Sequence, residues 1–252
     1  MTRYLSWEPL SASWQERAGG ELPIAVADSW LVDEGRVRAL QLHLERFRGS
    51  CAELGADDSQ LAAALEALDD AIPAEGRWFP RVELGVDRSL MLTLRPAPPA
   101  ENEVVAWLSP LPDNRSLPRR KGPELLQLGQ LREQAAEHGA GEAVLRDAEG
   151  RLLEGAYSSL LWWEGETLCA VPDTAPVLPG ITRRLLLEMA AQEGVDQRYV
   201  LPEPPQLEGR EVWLVGSLHG IRAVSDWVDG TLTAGAPQRA PAWQQRLAQL
   251  QG

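Results

Sequence analysis

The apolar residues of this 252-residue chain fall in short, strand-like runs set apart by turn signals, and the runs do not alternate regularly with helices. That pattern argues against a doubly wound parallel sheet and for an α+β architecture. Segments 6–9 and 24–32 read as strands, the second closed by Asp33-Glu34-Gly35. Residues 37–51 place Leu40, Leu44, Phe47 and Cys51 at helical spacing, and 59–72 form a second amphipathic helix behind an Asp57-Asp58-Ser59 cap. Three further strand-like runs, 78–84, 89–94 and 104–109, fit an antiparallel meander.

A breaker-rich stretch, Pro110-Leu111-Pro112-Asp113-Asn114 running on to Leu117-Pro118, is the best domain boundary. It sets off a small first domain over 1–112, a linker over 113–122 and a second domain over 123–252. The second part opens on a helix at 123–138 with proline near its start. Short strands at 143–147, 150–154, 159–163 and 167–171 follow, joined by hairpin-type turns. A helix over 182–192 ends at Gly194, then come strands at 212–216 and 221–228 and a terminal helix over 242–250.

Charge narrows the partners. Thirty-seven acidic residues against 24 basic ones leave a net charge of −13, and no basic patch stands out. Nucleic acid and an anionic membrane surface are therefore not expected as partners. No apolar run approaches the roughly 18–20 residues that span a bilayer. The start, Met1-Thr2-Arg3-Tyr4-Leu5-Ser6-Trp7, carries no signal-peptide stretch, so the expected location is cytoplasmic. Two cysteines, Cys51 and Cys169, and three scattered histidines, His43, His138 and His219, suit neither a disulfide framework nor a metal site.

One residue count concerns chemistry. Of the 24 basic residues 23 are arginine, and Lys121 is the only lysine. Arginine serves as a surface cation or a carboxylate clamp, but its guanidinium stays protonated and cannot act as a nucleophilic amine. Lys121 is thus either a leftover surface cation or an amine kept for a reaction.

Lys121, the helix after it, the run Gly139-Ala140-Gly141-Glu142-Ala143-Val144-Leu145-Arg146-Asp147-Ala148-Glu149-Gly150, and then Glu154 follow one another in a recognisable order. In these segments the chain resembles the fold-type IV pyridoxal-phosphate enzymes, the class IV aminotransferase family. That family includes branched-chain and D-amino-acid aminotransferases and aminodeoxychorismate lyase. The resemblance implies a two-domain α+β fold, with a small N-terminal α/β domain and a larger C-terminal domain built on a mainly antiparallel, barrel-like sheet.

It also implies roles. Lys121 falls where the family's Schiff-base lysine lies, an amine that holds the cofactor aldehyde and later moves protons. Glu154 matches the glutamate that keeps the pyridine nitrogen protonated; without that register it reads as a solvated turn residue. Pro179-Gly180-Ile181-Thr182-Arg183 resembles the family's "LPGITR" helix start, so that Gly180, Ile181 and Thr182 would cradle the phosphate. Gly216 and Ser217, in Val215-Gly216-Ser217-Leu218, resemble a strand end whose hydroxyl reaches the phosphate. In Leu42-His43-Leu44-Glu45-Arg46-Phe47, Arg46 matches an arginine that clamps it. His43 reads as a helix-packing residue.

There are departures. Ser158-Ser159, which the resemblance makes cofactor-binding candidates, stands where the family has Ser-Asn, preceded by Tyr157, and the glycine-rich "GDGxFE" strand is not visible around Ala27-Asp28-Ser29-Trp30. For substrate carboxylates the candidates are Arg95 and Arg222, each equally readable as an ordinary cation. The function implied is a pyridoxal-phosphate enzyme acting on an amino-acid-like substrate, most like aminodeoxychorismate lyase, which releases pyruvate and 4-aminobenzoate. Branched-chain or D-amino-acid transamination is the alternative, and a non-catalytic cofactor-binding member a third. A homodimer is expected.

Overall fold

The computed structural model describes residues 1–20, 22–230 and 232–250. Residues 251 and 252, the end of the expected second domain, lie outside the described residues. The chain divides into two compact units, Met1–Pro99 with Arg120–Pro123, and Ala100–Arg119 with Glu124–Gln249.

The first unit carries strands β1 (Arg3–Glu8), β2 (Ser13–Glu16), β3 (Ile24–Ser29), β4 (Val32–Asp33) and β5 (Arg36–Val37). Helices α1 (Leu40–Glu53), α2 (Asp58–Glu66) and α3 (Leu68–Ala71) follow, then β6 (Arg77–Trp78), β7 (Arg81–Gly85) and β8 (Leu90–Leu94). Five of these strands form an antiparallel sheet in the order β2-β1-β8-β7-β3, and β5-β4-β6 form a small second one. Period-two alternation puts Val82, Leu84, Leu92 and Leu94 on one face, where they pack with Leu44, Phe47 and Cys51 of α1 and Leu61 and Leu65 of α2. Asp57 caps α2 as the sequence suggests, accepting the Gln60 N–H at 2.9 Å.

The second unit contains β9 (Glu103–Leu108), α4 (Leu125–Glu137), β10 (Glu142–Arg146), β11 (Leu152–Gly155), β12 (Ser159–Glu164) and β13 (Thr167–Ala170). It continues with α5 (Ile181–Gln192), β14 (Gln197–Tyr199), β15 (Val212–Gly216), β16 (Gly220–Trp227) and α6 (Ala240–Ala248). The strand order β11-β10-β9-β16-β15-β12 closes on itself through a β11–β12 pairing, giving a six-stranded barrel with β13 and β14 extending one side. Closure leaves those six strands without an open edge. Adjacent residues of β12 serve two cores: Leu160 and Trp162 pack with Val144, Leu152 and Trp227, whereas Leu161 and Trp163 pack with Leu186 of α5 and Trp243 of α6. Among the described residues no helix is long and apolar enough to cross a membrane.

The third strand of the expected meander goes elsewhere. Strands β7 and β8 pair as anticipated, but β9 runs parallel to both β10 and β16 inside the barrel. The two compact units part at Pro99–Ala100 in this stretch. The run Pro96-Ala97-Pro98-Pro99 breaks the chain between β8 and β9, and no local turn signal tells which sheet a strand beyond such a break will join. Strands β2 and β14, absent from the sequence reading, are short pieces at sheet edges.

Candidate active site

In the first unit the charged residues gather around Lys121. Residues 120–123 pack on β3: the Ala27 N–H donates to the Lys121 carbonyl at 2.7 Å. Gly122, at φ +145°, comes so close that a Cβ there would lie 2.8 Å from the Val26 Cα. The lysine is half-buried. Desolvation brings its pKa down to about 8; Asp28 pulls it up, while Arg46, Arg95 and Arg81 push it further down.

Asp28 occupies a core position of β3, between Val26 and Trp30 on the same face, and is fully buried. Its carboxylate accepts Arg46 Nε at 2.8 Å and Nη2 at 2.9 Å, and His43 Nδ1 at 2.7 Å. Burial raises the Asp28 pKa, but the Arg46 charge and the His43 hydrogen bond outweigh it and hold the carboxyl well below the usual range. Desolvation lowers the His43 pKa against the pull of Asp28, which keeps the ring neutral and donating through Nδ1. Arg95 stacks over the Phe79 ring at 5.1 Å and donates to the Phe79 carbonyl at 3.3 Å. Arg81 pairs with buried Glu83, which also accepts the Thr93 hydroxyl at 3.2 Å.

In the second unit Glu154 sits in the barrel wall, on β11 at the point where it pairs with Ser159 of β12. It is 4% exposed, which removes the solvated-turn reading. Arg115 Nη2 lies 2.8 Å from its Oε1, and the Leu178 N–H donates to the two oxygens at 3.1 and 3.2 Å. Desolvation nonetheless pushes the Glu154 pKa up to about 7, against the Arg115 charge and these hydrogen bonds, with Asp113 adding to the rise.

Of the expected phosphate residues, Gly180, Ile181, Thr182, Gly216 and Ser217 lie in this second unit, and Arg46 lies in the first. Gly180 is the N-cap of α5, whose first turn holds Ile181 and Thr182. A Cβ on Gly180 would lie 2.3 Å from Ser159 Oγ. Ser159 pairs with Val215, one residue before Gly216, and a Cβ on Gly216 would lie 3.3 Å from the Tyr157 carbonyl. Ser217 follows in the partly exposed turn between β15 and β16. A helix start, two hydroxyls and two glycines whose side chains would fill the space make a cradle suited to an anion.

Ser158 and Arg222 stand differently. Ser158 donates to Glu142 at 3.3 Å, and Arg222 binds the same buried carboxylate through Nη2 at 2.7 Å while its Nη1 meets Glu101 at 3.3 Å. Arg222 is thus committed to the barrel's own carboxylates. Sequence reasoning missed Asp28, Arg115 and Glu142. The Asp28 signal was available, since a carboxylate at a core position of an alternating strand needs a buried partner. Arg115 lies in a breaker stretch with no periodicity to mark it. Among the described residues no group of three or more His, Cys, Asp or Glu is placed to hold a metal ion.

A family model described as amino-transferase class IV matches residues 25–227. The branched-chain-amino-acid aminotransferase of Escherichia coli K12 is 29% identical over 128 residues, 50% of this chain and 41% of that relative's length. The chain therefore matches about two fifths of that relative. Among solved structures, a hypothetical aminotransferase from Mycobacterium tuberculosis in a PLP-bound form superposes with a TM-score of 0.81 at 20% identity, covering 99% of this chain and 98% of that one. A proposed 4-amino-4-deoxychorismate lyase from Legionella pneumophila gives a TM-score of 0.78 at 17% identity, covering 93% of this chain and 96% of that one. At these identities the structural likenesses speak to the fold.

Proposed function

The chain belongs to the class IV aminotransferase family, and from that premise we propose that it is a pyridoxal-phosphate enzyme using Lys121 as its reactive amine. The observation that carries the reading is the state of Lys121. It is the chain's one lysine, anchored by its backbone to β3, with a pKa near 8, so that a useful fraction of the amine is neutral at physiological pH.

The donor sets fit the cofactor. When bound, pyridoxal phosphate supplies an aldehyde that captures amines and a protonated ring that withdraws electrons. Lys121 would hold the aldehyde carbon until the substrate amine displaces it there, and the freed amine would then take a proton from the substrate α-carbon and return it. Glu154, buried and flanked by Arg115, would hold a proton at the ring nitrogen. The α5 start at Gly180, Ile181 and Thr182, with Ser159, Gly216 and Ser217, would bind the phosphate oxygens. Arg46, the further phosphate arginine that the resemblance implies, has its charge already balanced by Asp28. Arg95 is the candidate for a substrate carboxylate.

Within the family we place amino-group transfer first. The curated relatives are aminotransferases, and the commitment of Arg222 to Glu142 removes one of the two cations that favoured elimination from a substrate with two carboxylates. Pyruvate release from aminodeoxychorismate is the second reading, supported by the fold likeness to the Legionella protein. The resemblance also carries a homodimer, which sedimentation tests.

The purified protein is incubated with pyridoxal phosphate and reduced with borohydride, and its peptides are mapped by mass. The expected adduct sits on the peptide holding Lys121, and the yellow band bleaches. An adduct on the N-terminal amine alone, or none, overturns the reading. An amino acid alone then converts the bound cofactor to its amine form if transfer is the reaction. Pyruvate from aminodeoxychorismate without a keto acid reverses the ranking.

A further inference from the structure

The buried Asp28 carboxylate gathers donors from three residues. Arg46 binds it through two nitrogens, His43 through one, and the Ser29 N–H donates to it at 2.7 Å. Arg46 and His43 lie three residues apart on α1 and so share the face that meets β3. The residue beside Asp28 on the same strand, Ala27, holds the Lys121 carbonyl at 2.7 Å. Gly122 brings that segment against Val26 more closely than any other residue type permits. One strand therefore fixes both the carboxylate and the backbone that carries the amine.

The charged groups acting on the Lys121 amine are Asp28 on β3, Arg46 on α1, Arg81 on β7 and Arg95 just beyond β8, with the neutral His43 ring of α1 beside them. Three are guanidinium cations, which oppose a protonated amine, and Asp28 is the anion that favours one. A guanidinium left alone beside the lysine would drive its proton off. Paired with a carboxylate, its effect is largely cancelled, and the neutral His43 ring orients the carboxylate without adding charge.

Resting on the cofactor reading of Lys121, we propose that Asp28 is a positioning residue for that amine: through its ion pair with Arg46 and its hydrogen bond from His43 it fixes the local geometry and balances the cations around Lys121.

The single lysine makes the test direct. Protein grown with lysine labelled at Nζ shows one side-chain amine to follow by NMR against pH, in cofactor-free protein. Asp28→Asn is expected to lower the Lys121 titration midpoint by about one unit, because it deletes the anion and strands the Arg46 charge. Arg46→Gln is expected to raise it, and the double variant to return towards wild type. Shifts in the same direction, or none, overturn the proposal, since a purely structural pair gives no opposition of sign. Should Asp28→Asn fail to fold, Arg46→Gln decides alone: an unmoved or lowered midpoint overturns it. Capture of pyridoxal phosphate is measured separately on the same wild-type protein. Opposed shifts without capture support the charge assignment and remove the cofactor reading.

Discussion

Arg115 binds Glu154 across 39 residues of sequence, its Nη2 2.8 Å from the carboxylate Oε1, both side chains buried in the second unit. Arg115 is itself held by Asp113 through Nε and Nη2, so one guanidinium stands between two carboxylates. Burial is the main reason that Glu154, despite a direct ion pair, remains easier to protonate than a carboxylate in water, and the nearby Asp113 charge adds to it.

Glu154 should therefore make stability fall with rising pH. Its folded pKa of about 7 lies above the ordinary 4.5, so the folded chain holds the proton more tightly than the unfolded one. Stability from this group is present below about pH 4.5 and is lost as pH rises to 7, by up to about 3 kcal/mol. Glu154→Gln lacks that dependence. Thermal unfolding of cofactor-free wild type and variant should diverge between these pH values and run parallel above them. With cofactor bound, the same variant should lose about 100-fold or more in turnover, because a glutamine cannot keep the ring nitrogen protonated.

Lys121 carries the opposite sign. Its folded pKa of about 8 lies below the ordinary 10.5, so charging the amine inside the fold costs stability at neutral pH, and the cost fades as pH rises from 8 to 10.5. Lys121→Met should stabilise the cofactor-free protein by about 1–3 kcal/mol at pH 7 and leave it near wild type at pH 10.5. Unfolding midpoints at the two pH values check this. The variant should also take up no reducible cofactor.

Gly180→Ala puts a methyl where Ser159 Oγ lies, 2.3 Å away at ideal geometry. The hydroxyl must turn aside at the start of α5, and losing one charge-assisted hydrogen bond weakens phosphate binding by about 1.5–3 kcal/mol, tenfold or more in cofactor affinity. Ser217→Ala should fall in the same range. Absorbance titration with pyridoxal phosphate measures both, and unchanged affinity in both variants would move the phosphate elsewhere.

Gly122→Ala meets backbone rather than a yielding side chain, with its Cβ 2.8 Å from the Val26 Cα at a φ of +145°. A destabilisation of about 1–3 kcal/mol is expected. Loosening of the 120–123 segment should also raise the exchange rate of the Ala27 amide, whose acceptor is the Lys121 carbonyl. Hydrogen exchange at that amide checks the second point.

Local pattern was enough for much of this. The hairpins of the second unit, the helix that begins after Pro179-Gly180, and the cap at Asp57 lie within a residue or two of where periodicity and turn residues put them. The reason is that alternation, caps and breakers act over a few residues and are written in them. The singular Lys121 is legible from composition alone, and its motif neighbours only through the family resemblance.

The tertiary structure decided which surfaces meet. Strand β9 continues the run of apolar alternation after β8, yet it enters the barrel and lies parallel to β10 and β16. Asp28 meets Arg46 at a separation of 18 residues, Glu154 meets Arg115 at 39, and Glu142 meets Arg222 at 80. Periodicity reports that a side chain is buried, but the partner of a buried charge is whatever the folding of distant segments brings against it. Burying a carboxylate is unfavourable until that partner arrives, so the pairing, and with it the proton affinities of Lys121 and Glu154, exists only in the assembled fold.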